Sequence, residues 1–203
     1  MNTFYSIDAL TLDSDPLAQF QRWFEEAGAA GVPVPESMAL ATSTPDGRPS
    51  ARMVLLKQAD ERGFGFHTNY ESRKGLELVE NPRAALLFHW QLLGRQVRVE
   101  GVVERVSVDE SESYFRTRPL GSRVAAWASP QSRPIADRAE LERLYEEARA
   151  RFAGEDVPLP PHWGGLRLVP NAYEFWQHGD DRLHDRISYV PDGIGWRRER
   201  LAP

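Results

Sequence analysis

Apolar residues along this chain recur at two periods, and the changes between them mark out its elements. Asp15-Pro16 offers an N-cap acid followed by proline in the first turn. Leu17, Phe20 and Phe24 then recur at helical spacing and predict one amphipathic helix. From Ser37 to Leu93 the pattern shifts to apolar runs broken by turn residues: SMALATST, the turn PDGRP, SARMVLLKQ, the turn ADERG, then GFGFHTN, which predict antiparallel strands. ESRKGLELVENP predicts a short helix closed by Asn81-Pro82. RAALLFHWQLL and RQVRVEGVVERV predict two long strands around Gly94, with Val97, Val99 and Val103 facing inward. Helices are expected at DESESYFRTRP, SRVAAWAS and ADRAELERLYEEARARF, the last with Leu141, Leu144, Tyr145, Ala148 and Phe152 on one face. A proline-rich connection, VPLPPHWGG, leads to four closing strands, GLRLVP, AYEFWQ, RLHDRISYV and GWRRERL, with Asp180-Asp181 and Asp192-Gly193 at their turns.

Many antiparallel strands with interspersed helices predict an α+β barrel rather than a doubly wound sheet. A chain of 203 residues can bury one good core, no linker or repeat divides it, and a single domain is expected over 1–203. The formal net charge of −5 argues against a general nucleic-acid binder, so local basic clusters carry more meaning than the total. There is no cysteine, which excludes disulfides, thiolate metal sites and cysteine nucleophiles. MNTFYSIDALTLDSD lacks a basic region followed by an apolar one, and AALLFHWQLLG falls short of the roughly 20 residues a membrane helix needs. The expectation is a soluble cytoplasmic protein with no membrane partner. No glycine-rich dinucleotide fingerprint, Walker loop or zinc motif occurs, and no metal is expected.

Four places offer chemistry. RLHDR, read as a strand, would set Arg182, His184 and Arg186 on one face, where like charges repel unless they meet water or an anion. Ser72-Arg73-Lys74 opens a short helix, so two cations join a helix N-terminus in a phosphate-type site or a solvated helix end. Arg52 and Lys57 could converge there, although opposite strand parity separates them. In YFRTRPLGS, Tyr114, Arg118 and Ser122 could gather around an oxyanion, or the arginine could pair with Glu112. Gln96 and Gln131 suit the imide edge of a heterocycle and Trp176 could pack beside a ring, while Trp90, Trp127 and Trp163 read as core. His67, His89, His162 and His178 lack ligand spacing and read as structural or exposed.

Taken in order, RMVLLK, TNYESRKG, NPRAALLFHW, RQVRVEG, YFRTRP, WASPQS, WGG, EFWQ and RLHDR closely resemble the pyridoxine (pyridoxamine) 5′-phosphate oxidase family, from about Pro16 to the final RLAP. The resemblance implies an FMN-binding split β-barrel of the α+β class, antiparallel and Greek-key-like with flanking helices, and a homodimer with FMN at the subunit interface. It implies oxidation of pyridoxine or pyridoxamine phosphate to pyridoxal phosphate, with oxygen reduced to hydrogen peroxide. By the same resemblance Arg52, Met53, Val54, Leu55, Leu56, Lys57, His67, Thr68, Arg73, Lys74, Gln96, Gln131, Ser132, Trp176 and Arg186 bind FMN. Lys57, Tyr114, Arg118 and Ser122 hold the substrate phosphate. Arg182, Leu183 and His184 contact the substrate, with Arg182 and His184 as the catalytic pair that orients its ring. Rival readings are a flavin oxidase of phenazine precursors and a noncatalytic carrier of FMN or pyridoxal phosphate. The chain departs from the family in three ways. The basic N-terminal segment has no clear counterpart apart from Tyr5, so residues 1–15 are expected to be flexible. His67 replaces an aromatic ring, and Ala125 replaces a common glycine.

Overall fold

The computed structural model describes residues 6–8, 11–154 and 156–203. Helix α1 (Pro16–Ala29) starts where expected, with the Asp15 carboxylate accepting from Leu17 N–H. Strands β1 (Ser37–Ser43), β2 (Pro49–Leu55), β3 (Gln58–Asp60) and β4 (Gly63–Asn69) follow, then α2 (Arg73–Glu80), β5 (Arg83–Trp90) and β6 (Arg95–Arg105). Helices α3 (Val108–Thr117), α4 (Leu120–Ala128) and α5 (Arg138–Arg151) precede β7 (Trp163–Gln177), β8 (Asp185–Asp192) and β9 (Gly195–Leu201). Among the described residues the nine strands form one antiparallel sheet in the order β2-β1-β5-β6-β7-β4-β3, and β8 and β9 continue from β7.

The barrel divides along β7. Its residues Trp163–Leu168 pair with β4, while Tyr173–Gln177 pair with β8, so one edge of a single strand serves two partners. Two closing strands were expected here, GLRLVP ending at Pro170 and AYEFWQ after it; the structure has one continuous strand of 15 residues. Pro170 is tolerated because it lies at a register shift, where Gly101 faces Pro170 and Glu100 faces Ala172, leaving Asn171 as the extra residue of a bulge. A side chain at Gly101 would sit 2.1 Å from the Val169 carbonyl oxygen, so the bulge requires glycine there. The expected α+β split barrel is therefore the fold observed.

Helix α1 lies across the barrel. Phe20 meets Phe64 and Phe88, each at 4.9 Å between ring centroids, and Trp23 meets Phe175 edge-on at 5.2 Å. Burying each of these rings stabilises the fold by about 1.5–3 kcal/mol. A second cluster, built on Phe115, Val124, Val157 and Trp163, joins α3–α5 to the N-terminal end of β7. Residues 6–8 and 11–15 make contacts with the barrel. Ile7 and Leu12 enter the core, Ile7 N–H donates to Asp185, Tyr189 O–H donates to Asp13 C=O at 2.7 Å, and Arg198 donates to Leu12 C=O. Tyr5 lies outside the described residues.

Candidate active site

A cavity of about 320 Å³ opens between the edge strand β2, strand β4, the start of α2 and the end of α3. Arg52, Met53, Val54 and Leu55 of β2, Lys57 just beyond it, and His67 and Thr68 of β4 line one side; Lys74, Tyr114, Arg118, Gln131 and Trp163 line the rest. Two expectations change here. SARMVLLKQ was read as one strand, but β2 ends at Leu55 and Lys57 sits in the joint before β3, which frees it from strand parity and lets it share the cavity with Arg52. Leu56 turns the other way and is 7% exposed in the core.

None of the lining residues is acidic, and four are basic. Their charge is organised by one carboxylate behind the wall. Glu77 on α2 accepts from Thr42, Ser50, Arg52 and Arg73. Burial would raise its pKa, but these donors outweigh it and hold Glu77 at about 2. Arg73 is thus tied to Glu77 with its side chain largely exposed, and it does not line the cavity. Sequence reasoning passed over Glu77; its place four residues after Arg73 on a helix was the available signal.

Lys74 points inward from the first turn of α2, where Ser72 caps the helix through Gly75 N–H. Its ammonium donates to Gln131 Oε1 at 2.9 Å, Thr68 Oγ1 at 3.1 Å and Ser72 Oγ at 3.3 Å. All three acceptors are neutral. Burial, followed by repulsion from Arg52, lowers its pKa to about 8.

On the opposite wall Arg118 ends α3 with an extended backbone, and its guanidinium lies 4.6 Å from the Trp163 ring and 5.6 Å from that of Phe115. The alternative pairing with Glu112 is not formed, because Arg116 takes Glu112 one helical turn away. Arg118 Nη1 is shielded from solvent with no hydrogen-bond partner, and burial lowers the guanidinium pKa against the opposing pull of Tyr114. A desolvated guanidinium with an unused donor is costly to keep unless an anion meets it.

His67 stacks on Tyr114 at 3.9 Å and on Trp163 at 5.3 Å. Both ring nitrogens are buried and unpartnered. Burial, then the positive charges of Arg118 and Lys57, lowers its pKa to about 4, so the ring is a neutral aromatic plate at pH 7. A side chain on Gly165 would approach His67 Nε2 to 3.1 Å and Val106 Cγ2 to 2.5 Å, which explains glycine beneath the stack. Since the unfolded-state pKa is near 6.5, the unfolded chain takes up a proton that the folded chain refuses between pH 6.5 and 4. This contribution therefore leaves stability untouched above pH 6.5 and reduces it as pH falls through that window. His67→Phe is expected to lose about 1–2 kcal/mol less than the parent protein between pH 7 and 4.5, a figure reduced because solvent reaches part of the ring. Urea unfolding of ligand-free protein at the two pH values checks this.

The remaining expected residues lie elsewhere. Gln96 faces Trp176 across β6 and β7, and Trp176 stands 4.6 Å from His184 between ring centroids. Arg186 is held by Glu174 at 2.9 and 3.1 Å and by Ala202 C=O. RLHDR is not one strand: Asp180–Arg182 form a 3-10 turn and β8 begins only at Asp185, so the shared face expected for Arg182, His184 and Arg186 does not exist. Arg182, Leu183 and His184 instead precede the strand in a turn. Ser122 sits in α4, and Ser132, with φ of 70°, follows Gln131; neither lines the cavity. Ala125 lines a separate groove between α4 and α5. Trp163, read as core, is both core and cavity wall. Among the described residues no cluster of three or more His, Asp or Glu is placed to hold a metal ion, and no helix is long and apolar enough to cross a membrane.

Comparison with known proteins places these features in context. Residues 24–152 match the family model described as Pyridoxamine 5′-phosphate oxidase, and residues 163–203 match the Pyridoxine 5′-phosphate oxidase C-terminal dimerisation region. A pyridoxine/pyridoxamine 5′-phosphate oxidase of Cupriavidus taiwanensis is 63% identical, over 93% of this chain and 89% of the relative. That of Rubrobacter xylanophilus is 59% identical, over 94% of this chain and 88% of the relative. The crystal structure of PhzG from Burkholderia lata 383, in complex with tetrahydrophenazine-1-carboxylic acid, superposes with a TM-score of 0.90 at 34% identity and 98% coverage of both chains. An FMN-binding protein related to pyridoxamine 5′-phosphate oxidase from Nostoc punctiforme shares the fold, with a TM-score of 0.71 at 17% identity over 98% of this chain and 100% of its own.

Proposed function

Because the chain belongs to the pyridoxamine 5′-phosphate oxidase family, we propose that it oxidises pyridoxine 5′-phosphate and pyridoxamine 5′-phosphate to pyridoxal 5′-phosphate, using FMN and passing the electrons to oxygen to give hydrogen peroxide. The observation that carries this reading is the acid-free cavity whose two walls each present a desolvated cation, Lys74 on one and Arg118 on the other. Two separated cationic walls suit two phosphorylated ligands.

Lys74 and Arg52, with Thr68 and Gln131 beside them, are the groups to hold the FMN phosphate. Strand β2 pairs only with β1 among the described strands, so the backbone N–H and C=O groups on its open edge at Met53–Leu55 can meet the imide edge of the flavin. Lys57, Tyr114 and Arg118 hold the substrate phosphate, with Ser122 following them in α4. When bound, FMN supplies hydride acceptance and reoxidation by oxygen. The protein's share is to fix both phosphates and to place the reacting carbon against the ring.

Arg182, His184, Trp176 and Arg186 lie within 163–203, the segment matching the dimerisation region, and none lines the cavity of its own chain. A homodimer with FMN at the subunit interface, in which each cavity receives the turn around Arg182 from the second copy, accounts for both facts. The test is the visible spectrum of purified protein, for bound flavin, followed by peroxide release with each phosphate ester. A yellow protein turning over either ester supports the reading, and a yellow protein inert to both overturns it. The likeness to PhzG makes a tetrahydrophenazine carboxylic acid the natural third substrate in that assay. Lys57 and Arg118 together suit the doubly charged phosphate of the esters better than the single carboxylate of a polycyclic acid. Any turnover with oxygen excludes a mere carrier.

Lys74 makes cofactor binding depend on pH. Its pKa of about 8 in the free protein will rise when a phosphate arrives, so binding takes up a proton above pH 8. FMN affinity is expected to fall roughly tenfold between pH 7 and pH 9.5. Lys74→Met should weaken binding about 10- to 100-fold at pH 7 and flatten that dependence, as fluorescence titration of FMN into flavin-free protein will show.

A further inference from the structure

The connection between β7 and β8 is more constrained than a surface turn requires. Asp181 and Arg182 are successive non-glycine residues in the left-handed region, with φ of 53° and 64°, a conformation that strains side-chain-bearing residues. Leu183 N–H donates to Asp180 C=O at 2.9 Å and closes the turn. Gly179 leads into it with φ of −126° and ψ of 151°, an extended conformation open to any residue. Backbone freedom is therefore not why glycine stands there. Space is the reason: a Cβ on Gly179 would lie 2.2 Å from the Leu183 carbonyl oxygen and 2.9 Å from its carbon.

That close approach has a chemical result. Gly179 N–H donates to His184 Nδ1 at 3.2 Å. A backbone N–H can only donate, so Nδ1 presents its lone pair and the neutral imidazole carries its hydrogen on Nε2. The rings of Trp176, at 4.6 Å, and His178, at 5.2 Å, flank the imidazole. One backbone bond thus selects the tautomer while the neighbouring rings limit rotation.

We propose that Gly179 is a positioning residue for the oxidation: through its N–H it holds His184 as the Nε2–H tautomer, so that the ring offers a hydrogen-bond donor to an acceptor on the substrate. The inference rests on the functional reading above, in which His184 contacts substrate. It assigns the glycine a purpose that neither its conformation nor the packing of the core supplies.

The experiment combines spectroscopy and kinetics on the full-length, flavin-loaded protein. Long-range ¹H–¹⁵N correlation of the histidine rings should show His184 with Nδ1 bare and Nε2 protonated; the opposite tautomer overturns the inference. Gly179→Ala should retain flavin, lose that single tautomer and drop kcat/KM at least tenfold. In the Gly179→Ala/His184→Ala double variant, kcat/KM should stay within about twofold of His184→Ala alone, since the glycine acts through the imidazole. Multiplying effects would overturn the proposal, because they would show that Gly179 serves the turn independently of His184. Should Gly179→Ala fail to fold, a second pair decides. His184→Gln, which can set an N–H near the position of Nε2, should keep more turnover than His184→Asn, whose amide reaches only the position of Nδ1; the reverse order counts against the proposal. A parent protein inert to both phosphate esters removes the functional reading before any variant is made. An active parent with the wrong tautomer removes this inference alone.

Discussion

Arg118→Ala is expected to raise KM for pyridoxine and pyridoxamine phosphates about 30- to 100-fold, with kcat reduced less than tenfold and FMN content unchanged. The magnitude follows from losing a charge-assisted hydrogen bond to phosphate, worth about 1.5–3 kcal/mol. Among the described residues no acid pairs with Arg118, its Nη1 is buried and unpartnered, and its guanidinium lies over the Trp163 ring. Removing it therefore breaks no ion pair, and thermal stability should hold or rise slightly. Arg118→Lys should fall between the two, because a lysine keeps the charge but loses the planar fork and its fit to the indole face. Steady-state kinetics with both esters checks this, and an unchanged KM would remove Arg118 from the substrate phosphate site.

Arg182→Ala should lower kcat/KM by about a hundredfold and leave FMN bound, the size of loss expected when a group that orients the reacting ring is removed. Arg182 sits at the exposed end of the strained turn, its backbone held by the Leu183–Asp180 hydrogen bond and not by its own side chain. Alanine keeps the Cβ and so keeps the strain, which isolates the guanidinium as the lost part. Flavin loss in this variant matching that of Lys74→Met would contradict the division of labour between the two ends of the chain. Measuring flavin absorbance per polypeptide before each kinetic run separates the two outcomes.

Much of the candidate site was legible because its signals are local. Ser72 followed by two basic residues announced a capped helix start, and Lys74 does face the cavity from it. Tyr114 and Arg118 were recognisable as a pair one turn apart on a helix and do share the cavity wall. Arg73 belongs to the same motif yet turns to Glu77, because a residue one position along a helix points about 100° away. Asp180-Asp181 was read as a turn and is one, but Arg182–His184 were misread as strand, since alternating basic residues imitate strand periodicity and the left-handed backbone at Arg182 leaves no mark in its side chain.

By itself the sequence determined the α+β class, the positions of the helices and most strands and the absence of thiol chemistry, since period, capping and turn chemistry act over a few residues; the family came from the resemblance of its motifs, taken in order. Tertiary structure alone decided how β7 divides its edge between β4 and β8, how a bulge carries Pro170 through a continuous strand, and which cations lose their acids to neighbours. It also left Arg118 and His67 with buried, unpartnered nitrogens. The physical reason is that pairing and desolvation depend on groups far apart in the chain. Glu77 reaches Thr42 and Ser50 across 35 and 27 positions, and no window along the sequence holds both ends of such a contact.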